Sequence, residues 1–347
     1  MKTITPKQKS RSGAVAASLR KVNGARNGSL STLVRDPVRS QLRLKSILVP
    51  IDFSEPSKNA LEYALPFLEQ FGAKLTLLHV IEPLPVPAFM TSFPPPTKKD
   101  KEIASARGHL ENLIKQNALD PKRVETLVCR GRSFEEIDNM ARRIETDLII
   151  MATHGYTGLQ HVFLGSTAER VVRHAPCPVL VVRNKQPLRA GQNGSHLKLQ
   201  RILVPLDFSD CSLKALKYSI AFARQFHASQ TLLHAVHPAY YFSSSDFDMV
   251  DYGKLVEDSE RAAVRQMNAL LKDGRFADLK VSSRVQVAHP ITEIVGAAKR
   301  EKSDLIVLST HGYTGLDRVL LGSTAENVVR LASCPVLVVR DLEHEFV

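Results

Sequence analysis

Asp147 to Arg183 reads DLIIMATHGYTGLQHVFLGSTAERVVRHAPCPVLVVR, and nearly the same string returns at Asp304 to Arg340. Aligned without a gap, 28 of the 37 positions are identical, so the chain contains a duplicated unit. The stretch opens on an apolar run, Leu148 to Met151, with the length and β-branched content of a strand buried on both faces. It breaks at Thr153-His154-Gly155, passes a loop carrying Gly155 and Gly158, and reaches Gly165-Ser166-Thr167. Ala168 to Arg173 then predicts a helix with Ser166 or Thr167 near its N-cap, and Pro178 leads into a closing strand, Val179 to Val182. Strand, glycine loop and helix N-terminus together can hold an anion. Glycines let the backbone approach a phosphate, and the first-turn N–H groups point at it with the positive end of the helix dipole behind them.

Working outward, Ser46 to Ile51 reads as a first strand, followed by Asp52-Phe53-Ser54 and a helix from Pro56 to Phe71 whose Ala60, Leu61, Ala64, Leu65 and Leu68 recur at helical spacing. Gly72 ends that helix, and Lys74 to Val80 is a second strand. Six prolines between Pro83 and Pro96 forbid regular structure there. A polar helix from about Lys99 to Gln116, a strand Arg123 to Cys129, a turn at Gly131 and a helix Phe134 to Glu145 complete the order βαβαβαβαβ. That alternation predicts parallel pairing in a doubly wound α/β sheet. After a linker, 184–200, the order restarts: Ile202 to Ser209 repeats Ile47 to Ser54 with one change, and Leu232-Leu233-His234 repeats Leu77-Leu78-His79. The expected organisation is a basic tail 1–45, a domain 46–183, the linker, and a second domain 201–341. The match between copies bunches at the carboxyl ends of the first and fourth strands, which in an open parallel sheet flank the switch point where ligands bind.

The net charge of +12 suggests nucleic acid until it is located. Residues 1–45 hold 11 Lys or Arg against Asp36 alone, so the tail carries nearly all of it and the rest only +2. Lacking aromatic residues, the tail reads as disordered. Two readings stay open for it: an organelle transit peptide, or a solvated basic arm touching nucleic acid or acidic membrane weakly. No apolar run reaches the roughly 18 residues of a membrane helix, so a soluble chain is expected. Cys129, Cys177, Cys211 and Cys334 form no C-x-x-C, the usage of a reduced, cytoplasmic setting. His79, His154, His234 and His311 fall at strand ends with no acidic or thiol partner at metal spacing, which favours hydrogen-bonded structural histidines over a zinc site.

ILVPIDFS at the first strand, LLHV in the second, and H-G-x-T-G-x(6)-G-S-x-A-E-x-V-V followed by C-P-V-L-V-V resemble the universal stress protein family, in tandem, from about Ser46 to the C-terminus. The resemblance implies two domains, each a five-stranded parallel sheet of order 3-2-1-4-5, Rossmann-like and akin to the adenine nucleotide alpha hydrolases. It implies a nucleotide-binding stress or signalling module with ATP as ligand, with or without magnesium. The family's ATP binders carry G-x(2)-G-x(9)-G-S/T. Here Gly155, Gly165 and Ser166 match in the first copy and Gly312, Gly322 and Ser323 in the second, while Ala152 and Ser309 replace the first glycine. The resemblance further implies that Asp52 and Asp207 face the adenine and ribose, and that the main chain at Val80 and Ala235 meets the adenine. It also implies that the last strand is the edge through which two such domains pair, giving an intramolecular pseudo-dimer and leaving a further homodimer open.

Each residue also has a plain structural reading. Asp52-Phe53-Ser54 suits a helix N-cap, and the glycines suit turns and a tight helix start. A nucleotide-free interaction scaffold is therefore the alternative. An enzyme is not expected: there is no G-x(4)-G-K-S/T, no G-x-G-x-x-G, no nucleophile elbow and no clustered carboxylates for two metals, which leaves at most a slow ATPase. In the second copy Gly131 is replaced by Ala288, followed by His289-Pro290, so its pocket rim differs. Which protein partners are served is not written in the sequence.

Overall fold

The computed structural model describes residues 42–83, 96–153, 164–183, 199–238, 252–310, 321–341 and 343–347. The basic tail up to residue 41, the proline-rich stretch 84–95 and most of the linker lie outside the described residues, as do both glycine loops with Gly155, Gly158, Gly312, His154 and His311. Everything below concerns the unit that runs from Arg39 to Val347.

The first copy contains β1 (Ser46–Pro50), α1 (Glu55–Phe71), β2 (Lys74–Ile81), α2 (Pro96–Gln116), β3 (Val124–Arg130), α3 (Ser133–Arg143), β4 (Leu148–Ala152), α4 (Ser166–His174) and β5 (Val179–Val182). The second copy contains β6 (Arg201–Pro205), α5 (Asp210–Phe226), β7 (Ser229–Val236), α6 (Tyr252–Leu271), β8 (Val281–Val287), α7 (Pro290–Arg300), β9 (Leu305–Ser309), α8 (Ser323–Leu331) and β10 (Val336–Val339). Two boundaries differ from expectation in ways the chemistry explains. Helix α2 opens at Pro96 rather than Lys99, since a proline at the first helical position lacks only an N–H that would be unpaired anyway. Helix α4 opens at Ser166 with Gly165 as its N-cap, so neither Ser166 nor Thr167 caps it.

All ten strands form one sheet of order β3-β2-β1-β4-β5-β10-β9-β6-β7-β8. Each half therefore shows the expected 3-2-1-4-5 order. The halves meet where β5 and β10 pair antiparallel, Leu180 opposite Leu337, while the other pairings are parallel. Both VLVV strands are buried throughout. An apolar strand with an open edge invites aggregation, and here each copy closes the other's.

Because pleating sends alternate residues to opposite faces, the seam feeds two cores that each run through both copies. One gathers Leu180, Val182, Leu337 and Val339 beneath α1, α2, α5 and α6; the other gathers Val179, Val181, Val336 and Val338 beneath α3, α4, α7 and α8. Helices α1 and α5 touch across the seam through Phe67 with Phe222 and Phe71 with Phe226, ring centroids 6.4 and 6.3 Å apart. Edge-to-face aromatic pairs of this kind add roughly 0.5–1.5 kcal/mol beyond their buried area. Two arginines also cross reciprocally. Arg183 donates to the carbonyl of Ala332 at 2.9 Å, and Arg340 donates to that of Ala175. Those carbonyls stand at the ends of α8 and α4, where a cation meets the negative end of the helix dipole.

The C-terminal residues 343–347 are not part of the repeat, and their role is not legible from pattern or periodicity. His344 N donates to Pro176 O at 2.7 Å, and its Nε2 lies 3.0 Å from Asp147 Oδ1. Phe346 is buried against Tyr218 and Phe222, and its carbonyl accepts from Arg43 N at 2.8 Å. The tail thus bridges the copies, bonded to the first through His344 and the Phe346 carbonyl and packed on α5 of the second through the Phe346 ring.

Candidate functional site

Strands β1 and β4 pair over only two positions, Ile47 with Leu148 and Leu48 with Ile149. Beyond them both strands continue, β1 to Pro50 and β4 to Ala152, without pairing each other, so a crevice opens between their carboxyl ends. The second copy repeats this, with Ile202 opposite Leu305 and Leu203 opposite Ile306 and nothing further. Helices leave the two strands on opposite faces of the sheet, which is the physical cause of the gap at a switch point.

At the tip of β1 the turn into α1 is built on a carboxylate. Asp52 Oδ1 accepts from Ser54 N at 3.0 Å and from Ser54 Oγ at 2.5 Å, and Ser54 Oγ accepts from Ser57 N at 3.3 Å. Ser54 is the N-cap, and Asp52 braces it. Asp207 and Ser209 repeat the arrangement at 3.0 and 2.6 Å, with Ser209 as N-cap of α5. Between them Phe53 and Phe208 adopt left-handed φ of 65° and 63°. A bulky residue there costs about 1–3 kcal/mol and persists only where its surroundings demand it. The demand is visible: Phe53 packs on His79 at 4.5 Å and Phe208 on His234 at 4.8 Å. Each histidine holds Nδ1 2.7 Å from a carbonyl at the strand tip, Ile51 or Leu206. A carbonyl can only accept, so Nδ1 carries the proton. Burial also holds His234 below the usual histidine range. Sequence reading put both histidines at strand ends in structural roles, and their bonds agree.

Val80 lies two residues past Leu78, whose carbonyl accepts Ile51 N at 2.8 Å. In a strand every second residue turns its amide groups the same way, so Val80 presents its N–H and C=O toward the space left where β1 has ended. Ala235 stands likewise two residues past Leu233, whose carbonyl accepts Leu206 N at 2.8 Å.

The tip of β4 leads to Ala152, partly buried, and to buried Thr153, whose N donates to Val182 O at 3.1 Å. Thr153 O accepts Gly165 N at 2.8 Å, tying the start of α4 to the strand. In the second copy Ser309 ends β9, Thr310 N donates to Val339 O at 2.9 Å, and Thr310 O accepts Gly322 N at 2.8 Å. A Cβ on Gly322 would sit 3.0 Å from that carbonyl oxygen, a tight approach that favours glycine there on packing grounds. The pair Thr153 and Thr310 escaped the sequence reading. Its signal was identity in both copies of T-H-G, where attention went to the glycine.

With the N–H of Gly165 used in this way, Ser166, Thr167 and Ala168 supply the remaining first-turn donors of α4, and no N-cap side chain covers them. Ser166 and Ser323 are exposed at the first helical position. The one acidic side chain in the first turn of α4, Glu169, pairs with Arg173 at 2.5 Å, which limits its repulsion of an incoming anion. Asp52, Val80 and Ala152 thus stand at or just past the carboxyl ends of β1, β2 and β4, with Gly165 and Ser166 at the start of α4, and Asp207, Ala235, Ser309, Gly322 and Ser323 take the same places in the second copy. Gly155 and Gly312 lie outside the described residues. Among the described residues no three His, Cys, Asp or Glu side chains converge on a metal position.

A model of the universal stress protein family matches residues 43–183 and again 198–340. A universal stress protein of Methanocaldococcus jannaschii is 32% identical over 157 residues, covering 44% of this chain and 89% of that protein. One from Mycolicibacterium smegmatis is 26% identical over 311 residues, covering 85% of this chain and 96% of its own. Among solved structures, a universal stress protein from Archaeoglobus fulgidus superposes with a TM-score of 0.60 at 20% identity, covering 85% of this chain and 98% of that one.

Proposed function

Because this chain belongs to the universal stress protein family, with a family match in each half, we propose that it is an adenine-nucleotide-binding stress or signalling module that takes ATP, with magnesium, in the crevice of each half. The observation that carries this reading is the parting of β1 from β4 after two residue pairs, in front of an α4 N-terminus whose first-turn N–H groups no N-cap side chain covers. Adenine would pair with the main chain of Val80 or Ala235, the ribose side would face Asp52 or Asp207, and the phosphates would meet Gly165-Ser166 or Gly322-Ser323. Alanine at 152 and serine at 309 are small enough for the backbone to come near the triphosphate. The module acts by offering partner proteins its nucleotide-bound conformation, without dedicated catalysis.

We divide the chain into a basic tail 1–45, domains 46–183 and 201–341, and the linker 184–200. A cytoplasmic setting suits its four free cysteines. The closed seam makes the pseudo-dimer internal and leaves β3 and β8 as the outer edges at which a further homodimer would form. Among the described residues no helix is long and apolar enough to cross a membrane.

One observation favours the nucleotide-free scaffold instead: Gly322 is explained by its contact with Thr310 alone. Melting with and without Mg-ATP separates the two. Ligand at 100 times its dissociation constant adds about 2.7 kcal/mol to a binder and nothing to a scaffold. Chromatography of the denatured protein would identify any co-purified nucleotide.

A further inference from the structure

We propose that the first copy carries a second small-molecule site, separate from the crevice at the strand tips, which takes an aromatic or heteroaromatic monoanion in the cleft between the end of β2 and α2. The cleft has a volume of about 430 Å³ and is lined by Phe53, His79 and Ile81 from the sheet side and by Lys101, Ser105 and His109 from α2, among others. That volume falls within the range of small-ligand sites.

Three features point to the ligand class. The walls are rings: Phe53 lies 4.5 Å from His79 and 5.3 Å, edge-on, from His109. Two of them are fixed, His79 by its bond to Ile51 O and Phe53 by its left-handed backbone, so a flat ring meets a preformed surface. The third feature is charge. Glu102, also at the cleft, is matched by Arg130 at 2.7 Å, while Lys101 adds a further cation at the rim beside the Ser105 hydroxyl.

The cleft lies on the opposite face of the sheet from the helix whose N-terminus faces the crevice. Phe53 packs into the core beneath α1 and α2, whereas the Val80 side chain and α4 belong to the other core. It is also peculiar to the first copy. At the offset of 157 that aligns β3 with β8, buried Ala106, Leu110 and Leu113 of α2 match buried Ala263, Met267 and Leu270 of α6. In that register Lys101 becomes Asp258, His109 becomes Gln266, Glu102 becomes Ser259 and Arg130 becomes Val287. The second copy keeps the Phe208 and His234 floor and none of the charged rim.

The test is calorimetric titration of the full chain with 2-naphthoate, and with 2-naphthol as its uncharged counterpart. One site per chain is expected, with a dissociation constant of about 0.1–1 mM for a ligand of this size. Naphthol should bind at least tenfold more weakly. Lys101→Asp and His109→Gln, which install the second copy's residues, should each weaken naphthoate at least tenfold, and Ser105→Trp should abolish binding by filling the cleft. Melting curves report whether each variant is folded. Saturating Mg-ATP should leave the naphthoate titration unchanged, and the variants should keep their ATP response. No heat from naphthoate at 10 mM, binding indifferent to all three changes, or displacement by ATP would each overturn the proposal, and the first two would leave the nucleotide reading untouched.

Discussion

Around the seam the two copies are near two-fold repeats of each other in backbone and unlike in buried charge. Asp138 on α3 is buried and its Oδ1 has no hydrogen-bond partner among the described residues, while the matching residue on α7 is Val295, packed against the apolar core. The two guanidiniums that act on Asp138, Arg142 and Arg340, are bonded to the carbonyls of His174 and Ala175. Burial therefore prevails over their attraction and pushes the Asp138 carboxyl up to about 7. The same side of the seam receives Glu343 from the C-terminal tail. Its side chain is fully covered, and Lys214, 3.8 Å away, is too far to hydrogen-bond it, so burial raises it to about 8. The comparison teaches that the duplicated frame supplies stability to both halves, while acids that the fold prefers to keep protonated, Asp138 on α3 and Glu343 in the C-terminal tail, stand where the repeat offers no acidic counterpart.

The strongest way to break that comparison is to remove the anchor of the C-terminal tail on α5. Phe346→Ala empties a pocket between Tyr218 and Phe222 and should cost about 3 kcal/mol in chemical denaturation. A change below 1 kcal/mol would mean that the tail is not a structural part of the seam. Next in size, Asp138→Val, which copies Val295, should stabilise by about 1–3 kcal/mol by removing an orphaned polar group from the core. Destabilisation would show that Asp138 has a partner worth keeping.

The same acids set a pH dependence. Each is raised in the folded protein, so between its unfolded value near 4 and its folded value the native state holds a proton that the unfolded chain has released. Stability is fully present below about pH 4 for these groups and declines as pH rises toward 7 for Asp138 and toward 8 for Glu343. Melting temperature should fall from pH 5 to pH 8, and Asp138→Val with Glu343→Gln should flatten the slope. A slope unchanged in that double variant would refute the assignment. Smallest of all is a backbone difference. Helix α1 ends on Gly72 at φ 64°, whereas α5 ends on His227 at φ 52°. His227→Gly should add roughly 0.5–1 kcal/mol if the left-handed strain is unrelieved, and a loss would mean that the imidazole makes a contact that offsets it.

Much of the frame was legible because its causes are local or periodic. The V-L-V-V runs announced buried strands, and Gly72 marked a helix end. The seam was implied by the family resemblance, since an apolar terminal strand by itself suits simple burial equally well. At the site, Asp52 and Asp207 could be located but not assigned, because whether an Asp or the Ser two residues later caps a helix depends on the turn between them, and that turn uses a phenylalanine in a conformation its side chain disfavours. Ser166 seemed a better N-cap than Gly165 by preference. Gly165 N bonds the Thr153 carbonyl as Gly322 N bonds that of Thr310, and at Gly322 a Cβ would come within 3.0 Å of the carbonyl oxygen, which favours glycine at the cap. Asp138 and Glu343 were opaque, since nothing in their neighbourhood of sequence tells that folding will bury the first near Arg340 and bring the second back beside Lys214 and Arg340.

Titrating the intact protein with Mg-ATP by calorimetry, beside Gly165→Val, Gly322→Val and the double variant, goes to the centre of this account. Two crevices built alike predict two equivalents of ATP for the native chain, one for either single variant and none for the double. No binding by the native chain, or a stoichiometry that neither substitution changes, would contradict it.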